Sequence, residues 1–146
     1  LVVPNHDSQL DPVVVALAIK PRRRLRFLAR ANLWRVPVLG RGLSALQQLP
    51  VARGTGDSAA LDRAVDALWA GDAVAIFPEG GLSWGEPVRA RSGVGVLAGR
   101  CAAARVVLCA VTGTTDYVRW PRRPRVAVRF MMPAIIGEAM RGSSTA

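Results

Sequence analysis

The sequence predicts an α/β fold in which helices cover a mixed, largely parallel central sheet. Short apolar segments typical of buried strands alternate along the chain with segments that have helical spacing or helix-capping residues. The last predicted strand, residues 125–131, alternates as an outer strand does. The chain has 146 residues, the length of one domain, and its 51% hydrophobic content argues against general disorder.

The first half of the chain is predicted to contain three strands and two helices. Pro37, Gly40 and Gly42 indicate a turn that leads into the second helix. The predicted order is strand 1–3, helix 12–19, strand 25–29, a turn and helix within 34–49, and strand 49–52.

The second half opens with the clearest helix, residues 58–70. Asp57 or Ser58 can cap its start, and Gly71 ends it. Its apolar stripe has helical spacing and consists of Leu61, Val65, Leu68 and Trp69. The remaining predicted elements are strand 73–77, helix 92–104, strand 106–111 and the outer strand 125–131.

The chain begins at Leu1, directly inside a predicted strand. We therefore expect that upstream sequence is missing from the N-terminal part of the domain. The domain is predicted to span residues 1–141. Residues 142–146 are small and polar, which predicts a frayed tail.

The net charge of +10 favours polyanionic partners, and Lys20 is the only lysine among the cations. Arginines cluster beside aromatic residues in the segments 22–34 and 117–125. Such runs are either a solvated face or a membrane interface. No apolar run is long enough to span a bilayer. We expect association with an anionic membrane surface on its cytoplasmic face. No nucleic-acid partner is expected, because recognised motifs are missing and aromatics are few.

The two cysteines, Cys101 and Cys109, lie in apolar stretches without metal or redox spacing. We expect both to be buried and to act as small hydrophobic residues, and we expect no metal site.

Three polar clusters follow predicted strands. They are the segment 5–11 with the sequence NHDSQLD, Arg53 with Gly54, and the segment 78–81 with the sequence PEGG. In α/β folds, chemistry gathers at the carboxyl ends of strands. The coincidence predicts an active site at that edge of the sheet.

The first cluster allows two interpretations. Asp11 before Pro12 is a common helix start, with the aspartate as N-cap, and Ser8 could cap as well. Alternatively, His6 lies on the turn between strand and helix, where its side chain can meet that of Asp11. The carboxylate would then hold one imidazole nitrogen, and the other nitrogen would face the pocket as a general base.

These residues resemble the motifs of the glycerolipid acyltransferase superfamily, whose best-known members are the 1-acyl-glycerol-3-phosphate acyltransferases. The resemblance lies in a histidine and an aspartate separated by four residues, an arginine after a short strand, Phe-Pro-Glu-Gly after a buried strand, and a hydrophobic strand that ends in a small residue. In this sequence they are His6 and Asp11, Arg53, the segment 77–80, and the segment 107–113. Cys109 stands where a proline is common.

The third motif departs from the family pattern. Many members continue Glu-Gly with Thr-Arg-Ser, whereas this chain has Gly81-Leu82-Ser83. The arginine that helps to hold the acceptor's phosphate in the family is therefore replaced by Leu82. Arg89 or Arg91 could substitute for it, and another lysolipid or a non-glycerol alcohol stays open as acceptor.

The resemblance implies an O-acyltransferase of phospholipid biosynthesis. It would move a fatty acyl group from acyl-CoA or acyl carrier protein to the hydroxyl of a lysophospholipid such as 1-acyl-glycerol-3-phosphate, with no cofactor besides this co-substrate. His6 and Asp11 would be catalytic. Arg53, Glu79, Gly80 and Gly81 would bind substrate. The alternative is a non-catalytic or weakly active module of the same fold that binds a lipid surface.

Overall fold

A computed structural model describes residues 1–19, 24–52, 57–84, 86–115 and 125–132. Each predicted strand and helix is present, with ends that differ from the prediction by a few residues. Helices α1 to α4 span Asp11–Ala18, Pro37–Ala45, Ser58–Trp69 and Gly93–Arg100, and a 3₁₀ turn spans Ala31–Arg35. Strands β1 to β6 span Val2–Pro4, Leu25–Arg30, Leu49–Val51, Ala73–Ala75, Val107–Thr112 and Ala127–Met131.

Some predictions fall on other parts of the chain. Arg53, the tail at residues 142–146, and the arginines at positions 22, 23, 119, 122 and 123 lie outside the described residues.

The six strands form one sheet in the order β3-β2-β4-β1-β5-β6. Strands β1 to β5 pair in parallel, and β6 pairs antiparallel with β5 at the outer edge. This confirms the predicted mixed, largely parallel sheet. Because β1 lies between β4 and β5, the carboxyl ends of these three strands are neighbours, and the chain segments that follow them can meet.

Each face of the sheet carries its own hydrophobic cluster. Consecutive strand residues such as Val74 and Ala75 belong to different clusters, because strand side chains alternate between the two faces. Helices α3 and α4 cover one cluster, to which they contribute Ala64 and Leu97. Helix α1 covers the other through Val15, which is fully buried.

Helix α3 starts at a capping residue that the sequence had placed at Asp57 or Ser58. The Asp57 Oδ1 accepts a hydrogen bond of 3.0 Å from the Ala60 N–H, so Asp57 is the cap. Its Oδ2 accepts 2.8 Å from the Ala52 N–H, which ties the end of β3 to the start of α3. These bonds from Ala52 and Ala60 lower the pKa of Asp57.

Helix α2 packs differently from the other helices. Its only buried residue is Gly40, which lies against the 3₁₀ turn, where a β-carbon on it would be 2.7 Å from the Trp34 carbonyl oxygen. The Trp34 Nε1–H donates 3.0 Å to the Ser44 hydroxyl and fixes the same pair of elements. Helix α2 adds no side chain to either hydrophobic cluster.

Within the described residues, the helices are too short or too polar for any of them to cross a lipid bilayer.

Candidate active site

Polar residues from three adjacent strands meet at one edge of the sheet. The segment from Asn5 to Asp7 follows β1, Glu79 follows β4, and Thr114 follows β5. The structure thus brings together His6, Asp11, Glu79 and the adjoining Gly80–Gly81 turn, as the polar clusters of the sequence had suggested. Arg53 was predicted to join them but lies outside the described residues.

His6 and Asp11 are in contact. The His6 Nδ1 lies 3.3 Å from the Asp11 Oδ2, with the imidazole 18% exposed and the carboxylate fully buried. Asp11 is the first residue of α1, and Leu10 stands at the N-cap position without a side-chain cap bond. The interpretation of Asp11 as the helix cap is therefore wrong, because its carboxylate turns back toward the preceding loop rather than toward the helix.

The Asp11 carboxylate is ionised although it is buried. Burial alone raises the pKa of Asp11, but hydrogen bonds from His6, Thr114 and Ser8 outweigh it and hold the pKa below its ordinary value of 3.8. The Thr114 hydroxyl donates 2.6 Å to Oδ1, and the Ser8 N–H donates 2.7 Å to Oδ2. An ionised carboxylate only accepts hydrogen bonds, so the neutral imidazole carries its hydrogen on Nδ1 and offers Nε2 as a base.

Aromatic stacking fixes the plane of the His6 ring. Its centroid lies 4.1 Å from that of Phe77, and the two rings are inclined by 26°. Phe77 in turn stacks on Phe27 at 6.0 Å, and Phe27 is buried in the sheet cluster under α1. The imidazole is thus held at its face by Phe77 and at its edge by Asp11. Within the described part of the chain, no residue hydrogen-bonds to Nε2.

The backbone of His6 is held from the β4 side. Its N–H donates 3.2 Å to the Glu79 Oε1, and its carbonyl accepts 2.8 Å from the Ser83 N–H. The Ser83 hydroxyl donates 3.1 Å to the same carbonyl and also contacts the Asp7 carboxylate. These bonds join the loop after β4 to the loop after β1 and set the position of the imidazole.

Asn5 holds the same loop from the β5 side. Its side-chain amide donates 2.9 Å to the Val111 carbonyl and accepts 2.7 Å from the Val111 N–H. The amide group also donates 2.8 Å to the Asp7 carboxylate. Asn5 therefore extends the pairing of β1 and β5 by one side chain and anchors the turn that carries His6.

Glu79 has one carboxylate oxygen in use and one unpaired. Oε1 accepts from the His6 N–H, whereas Oε2 is buried and has no hydrogen-bond partner among the residues that the structure describes. Glu79 makes no ion pair with a described arginine. An unsatisfied buried oxygen costs about 1–3 kcal/mol, so a ligand hydroxyl that donated to Oε2 would be stabilised there.

The turn after Glu79 needs glycine. Gly80 has a φ of +67°, and a β-carbon on it would lie 2.6 Å from the Arg91 Nε. The Gly80 N–H donates 3.1 Å to the Phe77 carbonyl, so this amide serves the turn itself. The Gly81 N–H has no acceptor in the described segments. A β-carbon on Gly81 would lie 3.4 Å from the Arg30 Nη2, so two guanidinium groups border this turn.

A family model described as Acyltransferase matches residues 1–118 of the chain. The chain belongs to this acyltransferase family. It is therefore a member of the glycerolipid acyltransferase superfamily, as the sequence motifs had indicated. The match covers β1 to β5 and all of the site residues named above. Searches of curated proteins and of solved structures found no match.

Several residues of the candidate site were not predicted from the sequence. They are Asp7, Arg30, Phe77 as a stacking partner, Ser83 and Thr114. Thr114 follows Gly113, the last residue of the segment 107–113 that resembles the fourth family motif, so its position was a usable signal. Of the two arginines suggested as substitutes at Leu82, the structure places Arg91 on the Gly80 backbone.

Both cysteines of the acyltransferase are buried and free, as predicted. Burial raises the pKa of the Cys109 thiol, and the negative charge of Asp11 raises it further. Cys109 is therefore a neutral thiol at neutral pH and a poor nucleophile. The described residues contain no group of histidine, cysteine, aspartate or glutamate side chains that could hold a metal ion.

Proposed function

We propose that this acyltransferase moves a fatty acyl group from acyl-CoA or acyl carrier protein to the hydroxyl of a lysophospholipid. The proposed acceptor is 1-acyl-glycerol-3-phosphate, and the proposed role is phospholipid biosynthesis. The observation that carries the proposal is the contact between the His6 Nδ1 and an ionised, buried Asp11. This pair leaves Nε2 as a base, and the His6 backbone contacts Glu79 of the Glu79–Gly81 turn.

In the proposed reaction, the His6 Nε2 removes the proton from the acceptor hydroxyl while its oxygen attacks the thioester carbon. Asp11 positions the ring and stabilises the imidazolium that forms. The tetrahedral intermediate then collapses, the carbon–sulfur bond breaks, and the imidazolium returns its proton to the leaving thiolate. A general base of this kind accounts for about 10²–10⁴-fold in rate.

The oxyanion formed in this step needs hydrogen-bond donors that are already in place. The backbone N–H groups of Gly80 and Gly81, two residues that the resemblance assigns to substrate binding, are the candidates. Because the Gly80 N–H donates to the Phe77 carbonyl, Gly81 is the better donor for the oxyanion. Its lack of a side chain lets a substrate approach the backbone closely.

Acceptor binding would use the groups that surround this turn. The buried Glu79 Oε2 would accept a hydrogen bond from the acceptor, and Arg53, as the family resemblance implies, would hold its head group. Arg30 and Arg91 border the turn, and neither forms an ion pair with a described carboxylate. We propose that they supply positive charge for the acceptor's phosphate, in place of the arginine that Leu82 replaces.

The second candidate is a non-catalytic module that binds a lipid surface through the same fold. Leu82 in the third motif favours it, because the family arginine at this position is lost. It predicts vesicle binding that survives His6→Ala together with no acyl transfer by the wild type.

The deciding experiment offers radiolabelled acyl-CoA and a panel of lysophospholipids to the purified chain. We expect transfer by the wild type, a loss of about 10²–10⁴-fold in His6→Ala, and wild-type turnover in Gln9→Ala, an exposed residue of the same loop. No transfer to any acceptor would overturn the enzymatic function. Transfer that His6→Ala leaves intact would overturn the assignment of the base.

A second experiment tests the acceptor's phosphate. Arg91→Gln should raise KM by about tenfold for 1-acyl-glycerol-3-phosphate and leave KM for monoacylglycerol unchanged, because a charged hydrogen bond to phosphate is lost. Arg89→Gln, also exposed and two residues away, is the matched control and should keep both KM values. An unchanged KM of Arg91→Gln for 1-acyl-glycerol-3-phosphate would remove Arg91 from the proposed site.

A further inference from the structure

Helix α2 and the residues that flank it present an exposed apolar face. The 3₁₀ turn before it buries no residue, and α2 buries only Gly40. The face consists of side chains that are 52%, 82%, 43% and 64% exposed, which are Val36, Val38, Leu39 and Leu46. Together with the exposed Arg35 and Arg41, these residues define what we call the α2 surface. Large exposed apolar groups in one segment mark an interaction site rather than a solvated face.

The charged residues of the chain segment that contains α2 are of one sign, although Arg26 of this segment pairs with Asp72. Residues 12–56 contain no aspartate or glutamate, whereas residues 57–146 contain both acidic residues and arginines. The same residues contain nine cations, which are Lys20, Arg22, Arg23, Arg24, Arg26, Arg30, Arg35, Arg41 and Arg53. Two of them, Arg35 and Arg41, lie on the α2 surface itself. A partner for this surface must therefore be apolar inside and anionic outside.

A bilayer that contains anionic phospholipid has both properties. Apolar side chains insert at the boundary between head groups and acyl chains, while arginines contact the phosphates. A second copy of the chain fits less well, because it would place Arg35 and Arg41 against their own like charges. We propose that the α2 surface docks on an anionic phospholipid bilayer.

The α2 surface is linked to the candidate active site through the 3₁₀ turn. Strand β2 ends at Arg30, directly before the 3₁₀ turn, and the Arg30 guanidinium lies against Gly81. Docking through α2 would thus bring the Glu79–Gly81 turn close to the lipid head groups. A lysophospholipid could then reach His6 from the interface without leaving the bilayer.

The conformation of the α2 surface is also fixed in the absence of a membrane. The close approach of Gly40 to the Trp34 backbone and the bond from the Trp34 indole to Ser44 lock α2 onto the 3₁₀ turn. Little conformational freedom is lost on docking, which favours binding.

The first test measures cosedimentation of the full chain with vesicles of phosphatidylcholine mixed with phosphatidylglycerol. Val38→Asp/Leu46→Asp should weaken partition by at least about tenfold, because charge at these positions opposes insertion. The matched control is Trp69→Asp on α3, which is 68% exposed and belongs to a helix that covers the cluster containing Ala64. It should bind as the wild type does.

The second test removes charge only. Arg35→Gln/Arg41→Gln should weaken partition onto anionic vesicles by about fivefold per cation. Arg105→Gln, an exposed arginine between α4 and β5, should leave partition unchanged. The proposal does not depend on catalysis, so His6→Ala should bind vesicles as the wild type does even if acyl transfer is lost or was never present.

Three results would overturn the docking proposal. One is wild-type partition of Val38→Asp/Leu46→Asp, and another is equal binding of the wild type to pure phosphatidylcholine vesicles. The third is a dimer in sedimentation equilibrium that Val38→Asp/Leu46→Asp dissociates, which would assign the face to self-association. Aspartate in the first turn of a helix is stabilised by the helix dipole, so substitution at Val38 should not unfold α2. The charge-only variants keep the test decisive if the apolar variant unfolds.

Discussion

The Thr114 hydroxyl donates a hydrogen bond of 2.6 Å to the Asp11 Oδ1, although the two residues lie 103 positions apart in the sequence. Both side chains are buried, with 1% and 0% of their surface exposed. The bond joins the end of β5 to the start of α1 and orients the carboxylate that faces His6. Thr114 is thus a positioning residue for the imidazole, through Asp11.

Thr114→Val should lower both the activity and the stability of the protein. It removes the hydroxyl but keeps the shape, so the Asp11 Oδ1 loses its donor in a buried setting. We expect the free energy of unfolding to fall by about 1–3 kcal/mol. We expect kcat to fall by about tenfold with little change in KM, because the ring is less well oriented during proton transfer. Urea denaturation and steady-state kinetics measure the two effects.

The neighbouring Thr115 offers a matched control, since it is exposed. Thr115→Val should leave stability and kcat unchanged. A Thr114→Val variant with wild-type kcat would show that the bond to Asp11 plays no part in positioning the base.

Asp11→Asn should change how stability depends on pH. The pKa of Asp11 is lower in the folded protein than its ordinary 3.8, so its stabilising contribution is complete above 3.8 and disappears as the pH falls through the folded pKa. The asparagine variant has no such contribution to lose. The wild-type advantage over the variant in unfolding free energy should therefore shrink when the pH is lowered from neutrality to below 3.8. A constant difference across this range would contradict the ionised carboxylate.

Gly80→Ala should destabilise the turn beside His6. Its φ of +67° is strained for alanine, and the new β-carbon would collide with the Arg91 side chain. We expect a loss of about 1–2 kcal/mol in thermal or urea unfolding.

Gly95→Ala is the control, and we expect it to change the stability in the opposite direction. Gly95 lies inside α4 with no atom within 4 Å of its β-carbon position, so alanine should stabilise the helix by up to about 1 kcal/mol. If Gly80→Ala also stabilised the protein, the described turn conformation would be wrong.

Cys109 should resist alkylation in the folded protein. Burial and the charge of Asp11 both raise the pKa of its thiol, so little thiolate forms at neutral pH. Peptide mass spectrometry after iodoacetamide should find Cys109 unmodified in native protein and modified in urea. Rapid native alkylation that abolishes acyl transfer would instead point to a thiol in the reaction.

Most of the fold could be predicted because its signals are local. Asp57 and Gly71 delimit α3, and the apolar periodicities separate helices from strands. Strand order is not a local property, so no pattern in the sequence predicts that β1 lies between β4 and β5. Asp11 also shows that local sequence patterns do not predict contacts between distant residues. Its position before Pro12 is typical of a helix cap, but the donors that claim its carboxylate come from His6, Ser8 and the distant Thr114.

The part of the candidate site that could be predicted from the sequence lies within one short segment. His6 and Asp11 lie five residues apart, and a turn between strand and helix brings them into contact. The supports of His6 come from elsewhere: Ser83 lies 77 residues away, and the Phe77 ring comes from the end of another strand. Serine and phenylalanine are common residues without a distinctive spacing here, so only the folded chain identifies their roles.

The central position of β1 also has a consequence for biosynthesis. Because the position of His6 depends on Glu79 and, through Asp11, on Thr114, a nascent chain on the ribosome cannot hold the imidazole in place until β5 has emerged and docked against β1. Contacts of such high contact order form late, since long loops must close before they stabilise anything. The arrangement around His6 should therefore form abruptly, when β5 docks on β1, and any intermediate that lacks this pairing should have no activity.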